Sequence, residues 1–578
     1  MRQATVPTSL IKTFRTMLTN GLLVLASLVV LQTQLIRPAR ASVITTGNVV
    51  PGGAATQSDP WAVGGSLKVG DSGNGTLNVE AAGLVSNTKG YIGYQSGSTG
   101  EATITGTDSH WNNSVELYVG VVGDGTLNVE AGGLVSNTRG YIGYQSGSTG
   151  ETTVTGTDSH WNNSGELYVG VVSNGTLNVE AEGTVTNTAG YIGYHSGSTG
   201  ETTVTGPDSH WNNSGSLHVG VVGNGTLNVK AGGVVSNSTG RIGDQSGSTG
   251  KATVTGSNSQ WNNSDRLVVG RSGDGTLIVE AAGVVSNNLG LIGRYSTSTG
   301  VVTITGASSQ WNNSGALHVG WYGDGTLNVK AGGMASNISG YIGRYSGSTG
   351  VATVTGVDSQ WNNSNSLYIG GGSSGAGGSG TLNLNNSGLV TISGTTKLWS
   401  DGTIILDGGT LDVGVLDLTL GTFNMLDGRL HADSVVGDIN VQGGTVAPGH
   451  SPGIMSIFGN YVQGNAATLE MELGGTENGE YDRLLVTGEM TLGGNLEVEL
   501  IDSFIPQVGD TFDLFSVEPG VDLQGSFSNI ELPWINTGLW DSSGLLSSGS
   551  ISVVPIPEPA TLSPLTLGAL MLLRRRRR

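Results

Sequence analysis

Cysteine is absent from the 578 residues, so disulfide bridges, thiolate catalysis and cysteine-ligated zinc are excluded. Charge is scarce: 12% of residues carry it, about half the usual share. Proline numbers only 14, and the 99 glycines never fall at every third position, which excludes collagen. Apolar residues stay at 36%, so the chain lacks the apolar-poor, charge-rich profile of disorder. Basic residues are missing from the body. Between Ser42 and Ile556 there are 14 against 43 acidic ones, a net of −29. Such a body offers no basic patch to nucleic acid or to an anionic membrane. What remains is the composition of many short strands joined by glycine-rich turns.

The middle of the chain is one repeat. Trp-Asn-Asn-Ser begins at Trp111, Trp161, Trp211, Trp261, Trp311 and Trp361, a 50-residue period, with Trp61 in a degenerate copy one period earlier. A shorter period runs inside it. Glycine recurs every 25 residues from Gly75 to Gly350, and asparagine from Asn87, Asn112 and Asn137 to Asn362. Each unit therefore reads as two coils of one architecture. Thr76-Leu77-Asn78-Val79-Glu80 and Leu117-Tyr118-Val119 alternate polar and apolar residues, as half-buried strands do. Position 117 keeps Leu in all six copies, whereas 118 drifts through Tyr, His and Val, which predicts an outward, exposed side chain there.

The fold expected is all-β: a parallel β-helix of ~25-residue coils paired into 50-residue repeats, with a β-rich C-terminal cap. A β-propeller shares the blade length but not the 25-residue sub-period. The recurring glycine is expected at a turn of positive φ. The recurring asparagine is expected to form an amide ladder that includes Asn112. The tryptophan row is a candidate glycan-stacking surface, formed by Trp111, Trp161, Trp211, Trp261, Trp311 and Trp361. On the 25-residue period, Ser86, Ser136, Thr186 and Ser236 fall opposite the rings. The competing expectation is that each ring folds over that small neighbour and packs.

The repeat text, VGxxGxGTLNVEAGGxVSN followed by GYIGYQSGSTGxxTVTGxxSxWNNS, resembles the repeat shared by type V autotransporter passengers and PEP-CTERM proteins, over about 67–370. The resemblance implies a secreted β-helix rod and carries over no catalytic residues. The segment from Gly443 resembles the end of autotransporter-associated β-strand regions, without the outer-membrane barrel that follows in those proteins.

Both ends read as addresses. Residues 1–41 run basic, apolar, then Ala39-Arg40-Ala41, the order of a secretory signal peptide cleaved before Ser42. At the far end Pro557-Glu558-Pro559 precedes a 14-residue apolar stretch from Ala560 and five arginines. This resembles the PEP-CTERM sorting signal, which implies an exosortase-type processing enzyme as partner and delivery to the cell surface or extracellular matrix. The expected divisions are signal peptide 1–41, linker 42–60, repeat β-helix 61–394, irregular further coils 395–450, β-rich C-terminal cap region 451–550, and sorting signal with a short transmembrane segment 551–578.

No catalytic, cofactor or metal site is expected. His110, His160 and His210 become Gln260, Gln310 and Gln360 at one repeat position, which reads as solvated surface. Glu470, Glu472, Glu497 and Glu499 alternate with apolar residues as a wet strand face, and Asp407, Asp412, Asp417 and Asp427 sit at turns. Thr153-Val154-Thr155 resembles ice-binding solenoids, but Asn128 and Glu130 interrupt any threonine array. The expectation is an exported structural or adhesive β-helix, not an enzyme, membrane-bound only through its C-terminal segment before processing. The alternative is a surface protein that binds or cleaves extracellular polysaccharide.

Overall fold

Leu77 and Val79 of the strand Gly75–Glu80 are fully buried while Thr76, Asn78 and Glu80 face out, and this two-residue alternation generates the architecture. In the computed structural model, which describes residues 42–519, 521 and 523–557, each such strand pairs in parallel with its counterpart one coil later. The chain divides into two units, Met1–Ser214 and Gly215–Arg578. Each is a parallel β-solenoid. A four-residue helix, Leu545–Ser548, is the only one among the described residues.

The 25-residue period holds on one strand of the coil only. Gly75, Gly100 and Gly125 pair at steps of 25. On the next strand Val85 pairs with Trp111 and Trp111 with Val135, steps of 26 and 24. On the third, Tyr91 pairs with Tyr118 and Tyr118 with Tyr141, steps of 27 and 23. The coil that carries Trp-Asn-Asn is thus longer across its corners, and its partner makes up the difference. A one-residue shift moves a side chain to the other face of a strand, so it changes three expectations. Asn112 points outward, and the inward ladder residue is Asn113. The tryptophans pair with Val85, Val135, Val185 and Val235 rather than with Ser86, Ser136, Thr186 and Ser236. Those small residues instead lie beside Asn112, Asn162, Asn212 and Asn262.

The recurring glycine also differs from expectation. Gly100 and its equivalents do not have positive φ; that role falls to Gly70, Gly93, Gly120 and their equivalents at the corners. A Cβ on Gly100 would collide with the Val69 carbonyl oxygen and the Gly93 amide nitrogen. Close backbone approach excludes a side chain there.

The segment expected as a linker, 42–60, is instead a cap. Ser42–Gly47 runs antiparallel on Gly75–Glu80, with Val43 buried and Val49 nearly so. It covers the open edge of the first coil, which would otherwise expose unpaired backbone groups. Beyond the repeats the coils shorten to 19 residues, Thr403 on Thr422 and Leu411 on Leu430, yet parallel pairing continues to Asn529–Glu531. A separate antiparallel sheet of Thr511–Asp513, Ser550–Val554 and Leu539–Asp541 buries Phe512, Leu514 and Ile551. The strand through Val554 moves the end of the folded body past the expected boundary at 550.

Candidate functional site

The tryptophan row is interior. Trp111, Trp161, Trp211, Trp261, Trp311 and Trp361 are all 0% exposed, so the candidate glycan-stacking surface is not a surface. Each indole N–H donates inward to an asparagine of the preceding coil: Trp111 to Asn87 at 2.6 Å, Trp161 to Asn137 and Trp211 to Asn187 at 2.7 Å. That asparagine donates in turn to the next, Asn87 to Asn113 and Asn137 to Asn163. Room for the ring comes from a glycine. A Cβ on Gly90 would stand 2.9 Å from the Trp111 Cζ2 and 2.8 Å from the Leu117 Cδ1. Burying such a ring contributes roughly 4–6 kcal/mol of apolar transfer free energy as an upper figure.

The outward partner of this row is polar. In the first unit Ser136 donates to Asn112 at 2.7 Å and Thr186 to Asn162 at 2.9 Å. In the second, Ser286 donates to Asn262 and Ser336 to Asn312. Near the end of the repeats a concavity of about 370 Å³ is lined by Ser336, Asn362, Ser364, Thr391 and Ser393. The amide ladder stops beside it. Ile392 stands opposite Asn363, whose buried Nδ2 has no hydrogen-bond partner.

Position 118 points outward, but the expectation that it is exposed fails. Tyr91, Tyr118, Tyr141, Tyr168 and Tyr191 stack along the first unit with centroids 4.7–5.1 Å apart. Tyr144 and Tyr194 lie edge-wise across them. Burial, together with the hydrogen bond to Glu116, pushes the Tyr118 phenol far above its ordinary value. Beside the stack runs a row of alternating sign: Lys89 on Glu116 at 2.8 Å, and Arg139 on Glu166 at 2.9 Å. In the second unit His318 stacks on Tyr341 and Tyr341 on Tyr368, with the Arg344 guanidinium over Tyr341. Burial and Arg344 hold His318 well below the usual imidazole range.

A network that the sequence did not announce occupies the same row at the start of the second unit. Ser216 Oγ lies 2.9 Å from His218 Nε2, and His218 Nδ1 lies 2.7 Å from Asp244 Oδ2. Hydroxyl, imidazole and carboxylate in line is the order of a nucleophilic triad. Here the imidazole is only 6% exposed, and the Arg241 guanidinium sits 3.2 Å from the same Nε2. It supplies a donor where a base must accept the serine proton. The arrangement therefore serves charge pairing: Arg271 closes it on Asp244 at 3.0 Å. Burial would raise the Asp244 carboxyl, but His218, Arg271 and Arg241 hold it below its ordinary value.

Toward the C-terminus, Glu470 is buried under a two-point contact from Arg429, so it is not wet as expected, while Glu472, Glu497 and Glu499 keep outward positions on the strands. His450 bridges Asp412 at 3.0 Å and Asp433 at 3.2 Å. Among the described residues no group of His, Asp and Glu is placed to hold a metal ion, and no helix is long and apolar enough to cross a membrane. Pro557 is exposed at the edge of the described chain; Glu558 and Pro559, the apolar stretch from Ala560, and Ala39 and Ala41 lie outside the described residues.

No family model matches this chain, and no curated protein does. Among solved structures, the "TibC-catalyzed hyper-glycosylated TibA55-350 fragment" is similar at 16% identity, over 63% of this chain and 98% of that one, with a TM-score of 0.29. At that score the likeness adds nothing to a fold already given by strand register.

Proposed function

We propose that the chain is an exported protein, sorted to the cell surface or extracellular matrix, that acts there as a structural or adhesive β-solenoid without a catalytic site. The observation that carries this reading is the unbroken 25-residue register of one strand of the coil through the repeats. That row repeats without an insertion from coil to coil, and enzymes gather reactive groups at irregular loops. The two terminal sequences support export and processing by an exosortase-type enzyme. The test is subcellular fractionation with mass spectrometry of both termini. The expected mature protein begins at Ser42 and lacks the arginine tail, and deleting residues 557–578 releases it to the medium or strands it in the periplasm. A tail-less chain that fractionates like wild type overturns the sorting assignment.

A second reading, contact with extracellular polysaccharide, is supported by the outward amide and hydroxyl row and the concavity at Asn362, whose groups suit sugar hydroxyls. Retention on matrix glycans would then fall on replacing Asn312 and Asn362 by Ala. Replacing the buried tryptophans would act only through folding.

A further inference from the structure

The outward positions of one strand of the coil differ in charge between the two units. In the first unit its outward rows read Thr76–Glu101–Thr126–Glu151–Thr176–Glu201 and Glu80–Thr105–Glu130–Thr155–Glu180–Thr205. No lysine or arginine pairs with Glu80, Glu101, Glu130, Glu151 or Glu180 among the described residues. In the second unit the same rows read Thr226–Lys251–Thr276–Val301–Thr326–Val351 and Lys230–Thr255–Glu280–Thr305–Lys330–Thr355. Lys230 holds the repeat position of Glu80, Lys251 that of Glu101 and Lys330 that of Glu180; all three lysines are exposed. The inversion extends beyond this face. Residues 42–214 carry three basic against 15 acidic side chains, a net of −12, whereas 215–394 carry eight against six, a net of +2.

We propose that this lysine-bearing face of the second unit docks on the carboxylate-bearing face of the first unit of another copy of this chain. Complementary charge names the partner's sign, and pitch names its identity. Both faces belong to the same coil, so their charged rows share one rise of ~4.8 Å and one two-coil repeat of about 9.6 Å. Lys230 and Lys330 stand two repeats apart, the spacing of Glu80 and Glu180, which a flexible polyanion without a fixed pitch cannot match. Val301 and Val351 in the lysine rows lower the cost of drying that face. Each exposed ion pair contributes little by itself, because water and salt screen it. Association therefore needs several pairs at once, and it is weak, repetitive and sensitive to salt.

The test is sedimentation velocity of the full chain at roughly 0.01 M and 1 M salt, where screening lengths differ about tenfold. The expected wild type associates at low salt and disperses at high salt. The variants K230E/K251E/K330E and E80K/E101K/E180K, altered only at outward positions, should each lose association by roughly tenfold or more. Mixing the two variants should restore it, because each now offers the face that the other lacks. A mixture that stays dispersed, or single variants that associate like wild type, overturns the proposal. So does a wild type that remains monomeric at low salt while retaining soluble polygalacturonate through the three lysines, an outcome that makes the partner a polyanion.

Discussion

Asn112 and Asn113 are chain neighbours with opposite roles, and their comparison is the sharpest test of the interior ladder. Replacing Asn113 by Ala should cost about 1–3 kcal/mol, since the Asn87 amide that donates to it loses its acceptor in a dry interior. Replacing outward Asn112 should be near neutral; equal melting shifts would end the ladder argument. The same contrast should hold between Asn187, which accepts the Trp211 indole, and outward Asn178. The presence of a ladder was legible in the sequence; its membership was not. Residue identity is the same at 112 and 113, and only the 26/24 step reveals which of them turns inward. Glycines divide similarly. Gly250→Ala forces a methyl into the Val219 carbonyl and should disrupt the coil, whereas Gly247→Ala, at φ +80° with open space around it, should cost only about 1–2 kcal/mol. Thermal melts of the two variants check the ordering.

Rows along the solenoid behave as elements in their own right, and their charged members set its response to pH. Asp244 is held below its ordinary pKa by His218, Arg271 and Arg241. Its contribution is present above the unfolded value of about 3.9 and is lost as pH falls through the folded one. Asp482 works in the opposite direction. Burial, with Glu472 and Glu470 adding to it, pushes its carboxyl up to about 7, against the N–H groups of Gly453 and Glu472 that it accepts. Native Asp482 therefore favours the protonated form, and its contribution fades as pH rises from about 4 to about 7. Urea midpoints measured across pH 3–8 should fall less steeply toward acid in Asp244→Asn and more steeply in Asp482→Asn. Wild-type slopes in both variants would remove these assignments. Repeat comparison correctly placed position 118 outward from its drift through Tyr, His and Val. It misjudged the exposure, because variability within one sequence records tolerance and not solvent. Stacking on identical neighbours 4.7–5.1 Å away hides the ring at an outward position.

At the scale of the whole molecule, the fold was the most legible property, because periodicity and strand alternation are written directly in the order of the residues. Partner-directed properties were less so. The net of −29 concealed a segment of opposite balance, visible only when residues 215–394 are counted apart. One further consequence comes from the unequal coils. Trp161 needs Asn137 for its N–H and Gly140 for its ring, both supplied by the shorter neighbour. Two long coils placed side by side would set Leu117 where Gly140 belongs. A gene for such a chain can therefore gain or lose length by recombination only in whole 50-residue pairs, never in single coils. Excising residues 125–174 should leave circular dichroism and melting close to wild type, while excising 125–149 should sharply lower the melting temperature. Natural length variants of this solenoid should accordingly differ by multiples of 50 residues, a step imposed by packing in the interior.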